Sequence, residues 1–319
     1  MLRVPDAPTP EQREALIRLS RTARTLSAPA WTPVFAALSE WAVIAGCVLV
    51  TFWSAHPVVW FGAGVLIGCR QHGLMILMHE AVHGGFHRNR WWNDRLADVL
   101  CGWPIFTSTD AYRTSHLVHH RLLNAPDDPD CIMRKGRSPF QFPKSRWRLA
   151  ADLAFVALGG GIVSFIESNR RMKRASRSVV AIPESGWMRA ARLTVAFGPP
   201  LVALALGQFH RWVLLWAMPI LTVLAVLCRF RVLGEHFGLP SKTVFDASRD
   251  WSGGWLFDWL VVPWGIRLHR THHLFPAVPY HRLDAMRRAV EADPVVGPHC
   301  RLDGVTELLA DLTERRTPE

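Results

Sequence analysis

Apolar residues in this chain gather in runs long enough to matter to a bilayer. Residues 34–54 carry a single charge, Glu40, and a short uncharged link, Ala55-His56-Pro57, leads into a second apolar run over 58–78. A bilayer core takes about 20 helical residues, so these two runs predict a transmembrane hairpin. Residues 190–209 and 212–230 predict a second one, with Pro199, Pro200 and Pro219 as kinks of a kind that membrane helices tolerate. Residues 149–166 are apolar but broken by Gly159-Gly160-Gly161, which reads as a re-entrant or interfacial helix. Residues 88–150 are punctuated by Arg, Asn, Asp, Pro and Trp, and only Leu96 to Phe106 is apolar enough to dip into the interface. The Trp-rich stretch from Trp251 to Trp264 also suits a membrane interface. Near the start, Thr9-Pro10-Glu11 opens a helix that sets Leu16, Ile17, Leu19 and Leu26 among arginines. Such a helix lies on the membrane surface or packs as an ordinary soluble one. The expected fold is an all-α membrane protein forming one domain over 1–319. Four transmembrane helices in two hairpins carry a cytosolic helical cap made of 79–189 and 231–319, with 1–30 as a cytosolic amphipathic segment.

Composition agrees with a membrane protein: half of the 319 residues are hydrophobic, mean hydropathy is +0.11, and there are 15 Trp. The net charge of +11 leaves nucleic acid or an anionic membrane surface as partners, and its distribution decides between them. The links near Ser54 to Trp60 and Gly207 to Trp212 hold almost no basic residues apart from Arg211, whereas the segments bearing histidine clusters hold most of them. By the positive-inside rule both termini and the histidine clusters are expected on the cytoplasmic side. Two basic patches, Arg134-Lys135-Gly136-Arg137 with Lys144, Arg146 and Arg148, and Arg170-Arg171-Met172-Lys173-Arg174 with Arg177, then read as anchors to anionic lipid. They lack the interleaved stacking aromatics of a nucleic-acid reader. Six cysteines are scattered without a C-x-x-C pair, which excludes a zinc ribbon or a built-in iron-sulfur site and points to a reducing compartment. The N-terminus shows no apolar core with a cleavage site, so no signal peptide is expected.

The candidate chemistry is histidine. His79 and His83 are four apart, and His116-His119-His120 and His269-His272-His273 have i, i+3, i+4 spacing, which puts each set on one side of a helix. His236 adds a ninth at another helix end. Imidazole suits iron, zinc and copper, and nine donors at four or five per ion fit two ions. His72 and His87 extend the first face and read as polar residues near the site. Asp127, Asp128 and Asp130 form an acidic turn just after the second cluster, either solvated or accepting hydrogen bonds from metal-bound histidines. Glu80 gives His79-Glu80-Ala81-Val82-His83 the outline of a zinc peptidase helix. The further histidine clusters and the basic membrane flanks argue against that reading, and Glu80 is taken as structural or supporting.

Three boxes, H-x-x-x-H, H-x-x-H-H and H-x-x-H-H, in this order and separated by apolar hairpins, resemble the integral-membrane fatty acid desaturase and hydroxylase superfamily over about residues 35 to 290. The likeness extends to Gly84 and Asn93-Asp94, to Asp128-Pro129-Asp130, to Arg231 through Glu235-His236, and to Leu274-Phe275-Pro276 after the third box. The resemblance implies two iron ions held by His79, His83, His116, His119, His120, His236, His269, His272 and His273, with O₂ as co-substrate. His87, Asp127, Asp128, Asp130 and Glu235 would support them. It implies O₂-dependent desaturation of an acyl chain, with hydroxylation or ketolation of a lipid, alkane or carotenoid as the alternative outcome. A metal transporter is a more distant alternative, because its ligands would sit near the bilayer midplane. The chain has no dinucleotide fingerprint, haem motif or iron-sulfur cysteine set, so electrons must arrive in trans, from a ferredoxin-like carrier docking on Arg134, Lys135 and Arg137. The expected location is a bacterial inner membrane, and the expected substrate a lipid or acyl compound.

Overall fold

The computed structural model describes residues 4–27, 31–175, 184–300 and 302–313. Among these residues the chain is helical except for loops and one parallel two-stranded ladder, Asp250–Ser252 with Leu302–Gly304.

The first hairpin joins the helix Thr32–Trp53 to the helix Pro57–Val82. At 1.5 Å per residue they are about 33 and 39 Å long, enough for a hydrocarbon core of about 30 Å. The second arm runs one turn past the expected end at residue 78, so the first histidine box lies on the spanning helix itself. It stops at His83 because the next residue, Gly84, turns left-handed with φ +85°, the usual glycine exit from a helix. Inside this hairpin Arg70 pairs with Glu40 at 3.3 Å, both almost wholly buried. Glu40 also accepts a 2.6 Å hydrogen bond from the Trp264 indole, while Arg70 donates to the Trp259 carbonyl and lies 4.1 Å from the Trp259 ring centre. The ion pair therefore fastens the Trp-rich stretch to the hairpin. That stretch is not uniformly interfacial: Trp251 is fully buried, while Trp255 is 81% exposed.

The second hairpin consists of Gly186–Ala205 and Phe209–His236. Its arms reach further towards the cap than residues 190 and 230, and the extension carries His236. Pro219 cannot donate to the turn before it, and the helix widens into π turns at Val213–Ala217 and Ile220–Leu224 on either side. Among the described residues, four helical segments are long and apolar enough to cross a membrane, Thr32–Trp53, Pro57–Val82, Arg146–Met172 and Phe209–His236. This set differs from the expected one, because Gly186–Ala205 bears Arg189 and Arg192 in its first half, which lowers its hydropathy. Arg146–Met172 in turn is two helices joined at a kink over Leu158 and Gly159, where Gly159 has φ +93°. Its 10-residue and 15-residue parts, Arg146–Phe155 and Gly161–Ala175, reach about 15 and 22 Å, so neither crosses alone.

The two hairpin tips meet, with Arg211 donating to the Thr51 carbonyl at 2.8 Å and His210 stacked on Trp60. The histidine boxes lie at the opposite helix ends. The N-terminal helix Pro10–Leu26 starts from a complete capping box between Thr9 and Gln12. Its apolar stripe, Ala15, Leu19 and Ala23, is buried in one cluster with Leu283, Met286 and Val290 of the helix Tyr280–Ala292. The buried stripe therefore faces protein, while Ile17 on the same helix is exposed. Of the second basic patch, Arg177 lies outside the described residues, as do the side chains of Lys173 and Arg174.

Candidate metal centre

All nine histidines converge, and they do so in two groups. His79, His83, His116, His120 and His272 form one, and His119, His236, His269 and His273 the other, with the ring nitrogens of each group within 4.8 Å of one another. Helix geometry explains the division. Successive residues are about 100° apart around a helix, so the i and i+4 members of an H-x-x-H-H box share a direction while the i+3 member points elsewhere. His116 and His120 accordingly enter the first group and His119 the second; His269 and His273 enter the second and His272 the first. The two boxes thus exchange one ring each, which ties the groups together.

The ring nitrogens stand at distances suited to a shared ion. His116 Nε2 lies 3.0 Å from His83 Nε2 and 2.9 Å from His120 Nε2, and His120 Nε2 lies 3.2 Å from His272 Nε2. In the second group His269 Nε2 is 2.9 Å from His236 Nε2 and 3.1 Å from His273 Nε2. Two nitrogens bound at right angles, each about 2.1 Å from a metal, are about 3.0 Å apart. Both nitrogens of His79 and the Nε2 of His119 are buried without a hydrogen-bond partner, a costly arrangement unless something else satisfies them. Protonation states agree. Burial, reinforced by Arg113, pushes His83 down to about 4, and burial with neighbouring His83 pushes His120 down to about 2. Burial and the surrounding histidines hold His116, His269, His272 and His273 well below the ordinary imidazole value. These rings are therefore neutral at pH 7 and can offer lone pairs. The donor set fits first-row metal ions of the imidazole-preferring kind.

The supporting residues divide. Asp128 is fully buried and receives His119 Nδ1 at 3.0 Å on both carboxylate oxygens, while also accepting from the backbone of Asn124 and Asp130. Asp130 is 3.9 Å from the same nitrogen and ion-pairs with Arg134. Burial lowers His119 but the two aspartates outweigh it, so its net shift is upward. Glu235 lies 3.5 Å from His269 Nδ1, and His236 Nδ1 stands 3.4 Å from the Ala247 carbonyl. Asp127, by contrast, is exposed and joins neither group. His87 also stays outside them: its Nδ1 accepts from the Asn89 backbone at 2.9 Å, and its ring packs edge-on against Trp31. His87 stays outside because it follows the helix end, where the four-residue spacing that grouped it with the site no longer applies. His72 is wholly buried outside both groups.

A basic docking surface at residues 134–137 is not what the fold presents. Arg134 is committed to Asp130, and Arg137 is buried against Glu167, Ser164 and Ser168, leaving Lys135 exposed.

Several positioning residues escaped the sequence reading. Arg113 donates to the Ala81 and Val82 carbonyls at 2.9 and 3.2 Å and forks onto Asp94 at 2.6 and 3.0 Å. It thereby joins the end of the first-box helix to the second-box helix Thr109–Arg121. Its only sequence signal is its position one turn before His116. Glu80, taken from the sequence as structural or supporting, accepts a 3.0 Å bond from the Tyr280 backbone N–H and so caps Tyr280–Ala292, a contact that its sequence position did not indicate. Asp250 takes the Thr271 N–H and hydroxyl at 3.1 and 2.6 Å, fixing the third-box helix to the strand ladder.

Hairpins with a histidine-lined cap define an integral membrane protein with a candidate two-ion centre. A family model for fatty acid desaturases matches residues 55–301. The dihydrorhizobitoxine desaturase of Bradyrhizobium elkanii is 30% identical over 273 residues, 80% of this chain and 74% of the relative. The sn-1 oleoyl-lipid 12-desaturase of Arthrospira platensis is 22% identical over 72% of this chain and 67% of its own length. A temperature-sensitive sn-2 acyl-lipid omega-3 desaturase (ferredoxin) of Arabidopsis thaliana is 23% identical over 78% of this chain and 59% of the relative. The chain belongs to the fatty acid desaturase family and is a membrane oxidoreductase.

Asp128 supplies a direct check on the second group. Asp128→Asn is expected to lower metal affinity there by about 10-fold to 100-fold, the usual cost of losing a residue that orients a ligating histidine. Equilibrium dialysis at graded free metal reads this; unchanged affinity contradicts the arrangement.

Proposed function

We propose that this chain introduces a double bond into a lipid acyl chain, using two iron ions held by the nine histidines and consuming O₂. The observation that carries the reading is the convergence of nine imidazoles in a five-ring and a four-ring group with ring nitrogens near 3 Å apart. Iron bound there supplies O₂ activation and the oxidising power for an unactivated C–H bond. The protein's own part is placement. Asp128 and Glu235 orient His119 and His269, Arg113 and Asp250 hold the box helices in register, and burial keeps water from the rings.

The balance requires an outside donor: two electrons from that donor and two from the substrate C–H bonds reduce O₂ to water. A carrier acting in trans provides them, and the ferredoxin in the Arabidopsis relative's name supports that class. Basic residues gather at the histidine end, which supports a cytoplasmic orientation for this face in a bacterial inner membrane. The Bradyrhizobium relative is named for a different substrate, dihydrorhizobitoxine, and at 30% identity that compound is the second reading.

Expressing the chain in cells and analysing their lipids tests the proposal, with metal analysis of the purified protein beside it. New double bonds and one iron per histidine group support it. Hydroxyl or keto products would replace desaturation, activity confined to dihydrorhizobitoxine would replace the lipid, and zinc alone with no O₂ consumption would defeat the oxygenase.

A further inference from the structure

Beside the kinked helix lies a cavity of about 250 Å³ that none of the nine histidines lines. One side is cationic, with Arg137, Arg171 and Arg229, and the other is apolar, with Phe155, Val156 and Val163. The charges do not balance. Glu167 is shared by Arg137 at 3.0 Å and Arg171 at 3.3 Å, and Asp152 is held by Lys144 at 2.5 Å. Four cationic groups therefore meet two carboxylates. Arg229 has no carboxylate within ion-pair distance among the described residues; it donates to Ser164 Oγ at 2.7 Å and lies over the Phe140 ring. A guanidinium carries five N–H donors, so Arg229 retains most of its capacity for an anion.

The apolar side opens towards lipid. Val163 and Leu158 are 61% and 87% exposed on a segment apolar enough to enter a bilayer. We propose that this cavity binds an anionic phospholipid, its phosphate between Arg137, Arg171 and Arg229 and its first methylenes against Phe155, Val156 and Val163. Phosphate and arginine make short charge-assisted bonds, and anionic headgroups concentrate at the basic face of a membrane. Arg229 lies seven residues before His236, about 10 Å along the same helix, so the site is accessory to the metal centre. An occupant there offsets repulsion among the three arginines and joins Gly161–Ala175 to Phe209–His236.

The full chain in uncharged detergent, titrated with phosphatidylglycerol, phosphatidylcholine or inorganic phosphate, tests this by native mass spectrometry and thermal unfolding. Phosphatidylglycerol is expected to bind and raise the midpoint, and the other two to do neither. Arg229→Gln and Arg171→Gln are each expected to weaken phosphatidylglycerol binding about tenfold, the loss of a charge-assisted hydrogen bond. Glu167→Gln removes a competing carboxylate and is expected to tighten it, while Arg282→Gln, on an exposed position of the helix Tyr280–Ala292, leaves it unchanged. Equal binding of phosphatidylcholine overturns the anion preference, and inorganic phosphate matching the lipid overturns the lipid assignment. If none of the first three variants moves the affinity, the location is wrong.

Discussion

His116→Ala is expected to abolish turnover while leaving the protein folded in the membrane. His116 sits at the middle of the five-ring group, its Nε2 within 3.0 Å of His83 and 2.9 Å of His120. Removing it deletes a donor on which the two neighbouring rings converge and opens a polar gap among buried imidazoles. Losing a residue that merely orients a ligand costs up to about a hundredfold, so losing the ring itself should cost at least that much. Metal content should fall in the first group and persist in the second. The helix Thr109–Arg121 is held independently by its Ser108 cap and by Arg113, so expression and membrane insertion should survive. His56→Ala and His210→Ala are the controls. His56 caps a helix at a hairpin tip and His210 stacks on Trp60 at the same far end, and neither should change turnover appreciably. Full activity in His116→Ala would remove the reason for assigning the metal to these rings.

That each box gathers its rings towards one side of a helix is legible from spacing, but not that the i+3 ring of each H-x-x-H-H box turns to the other group. The first hairpin was legible for a similar reason, since apolar runs with few charges have few places to go. What spacing cannot show is how helices far apart in sequence meet. That His119 joins His269 and His273, while His272 joins His116 and His120, depends on the approach of two helices about 150 residues apart. Asp128 and Asp127 look equivalent in the sequence, yet one is buried against His119 and the other faces outward. Arg134 and Arg137 read as free surface charge because their partners, Asp130 and Glu167, cannot be paired with them from composition. The kink at Gly159 was flagged by its glycines, but the reach of Phe209–His236 through two π turns was not.

The second large effect concerns a residue that touches no metal. Arg113→Ala should destabilise the protein by about 3 kcal/mol, the lower end of the cost of stripping one partner from a buried ion pair. Arg113 is buried, and its loss leaves Asp94 with only Arg90 and Asn93 and takes a donor from the Ala81 and Val82 carbonyls, groups with little water to replace it. Arg113→Lys should recover only part of this, because an ammonium cannot make the fork onto Asp94. The effect has a pH signature. Burial acts to raise the Asp94 carboxyl, but hydrogen bonds from Arg113 and Asn93 and the Arg113 charge bring it below its ordinary value. A depressed carboxylate contributes stability that is fully present above its unfolded pKa, about 3.9, and is lost as pH falls through the lower folded value. The deficit of Arg113→Ala should therefore be widest near neutral pH and shrink below about pH 4. Thermal unfolding in detergent across that range measures it. A variant as stable as the parent at pH 7 would mean that the first two boxes are held in register by packing alone, with their 3.0 Å approach between His83 and His116 independent of Arg113.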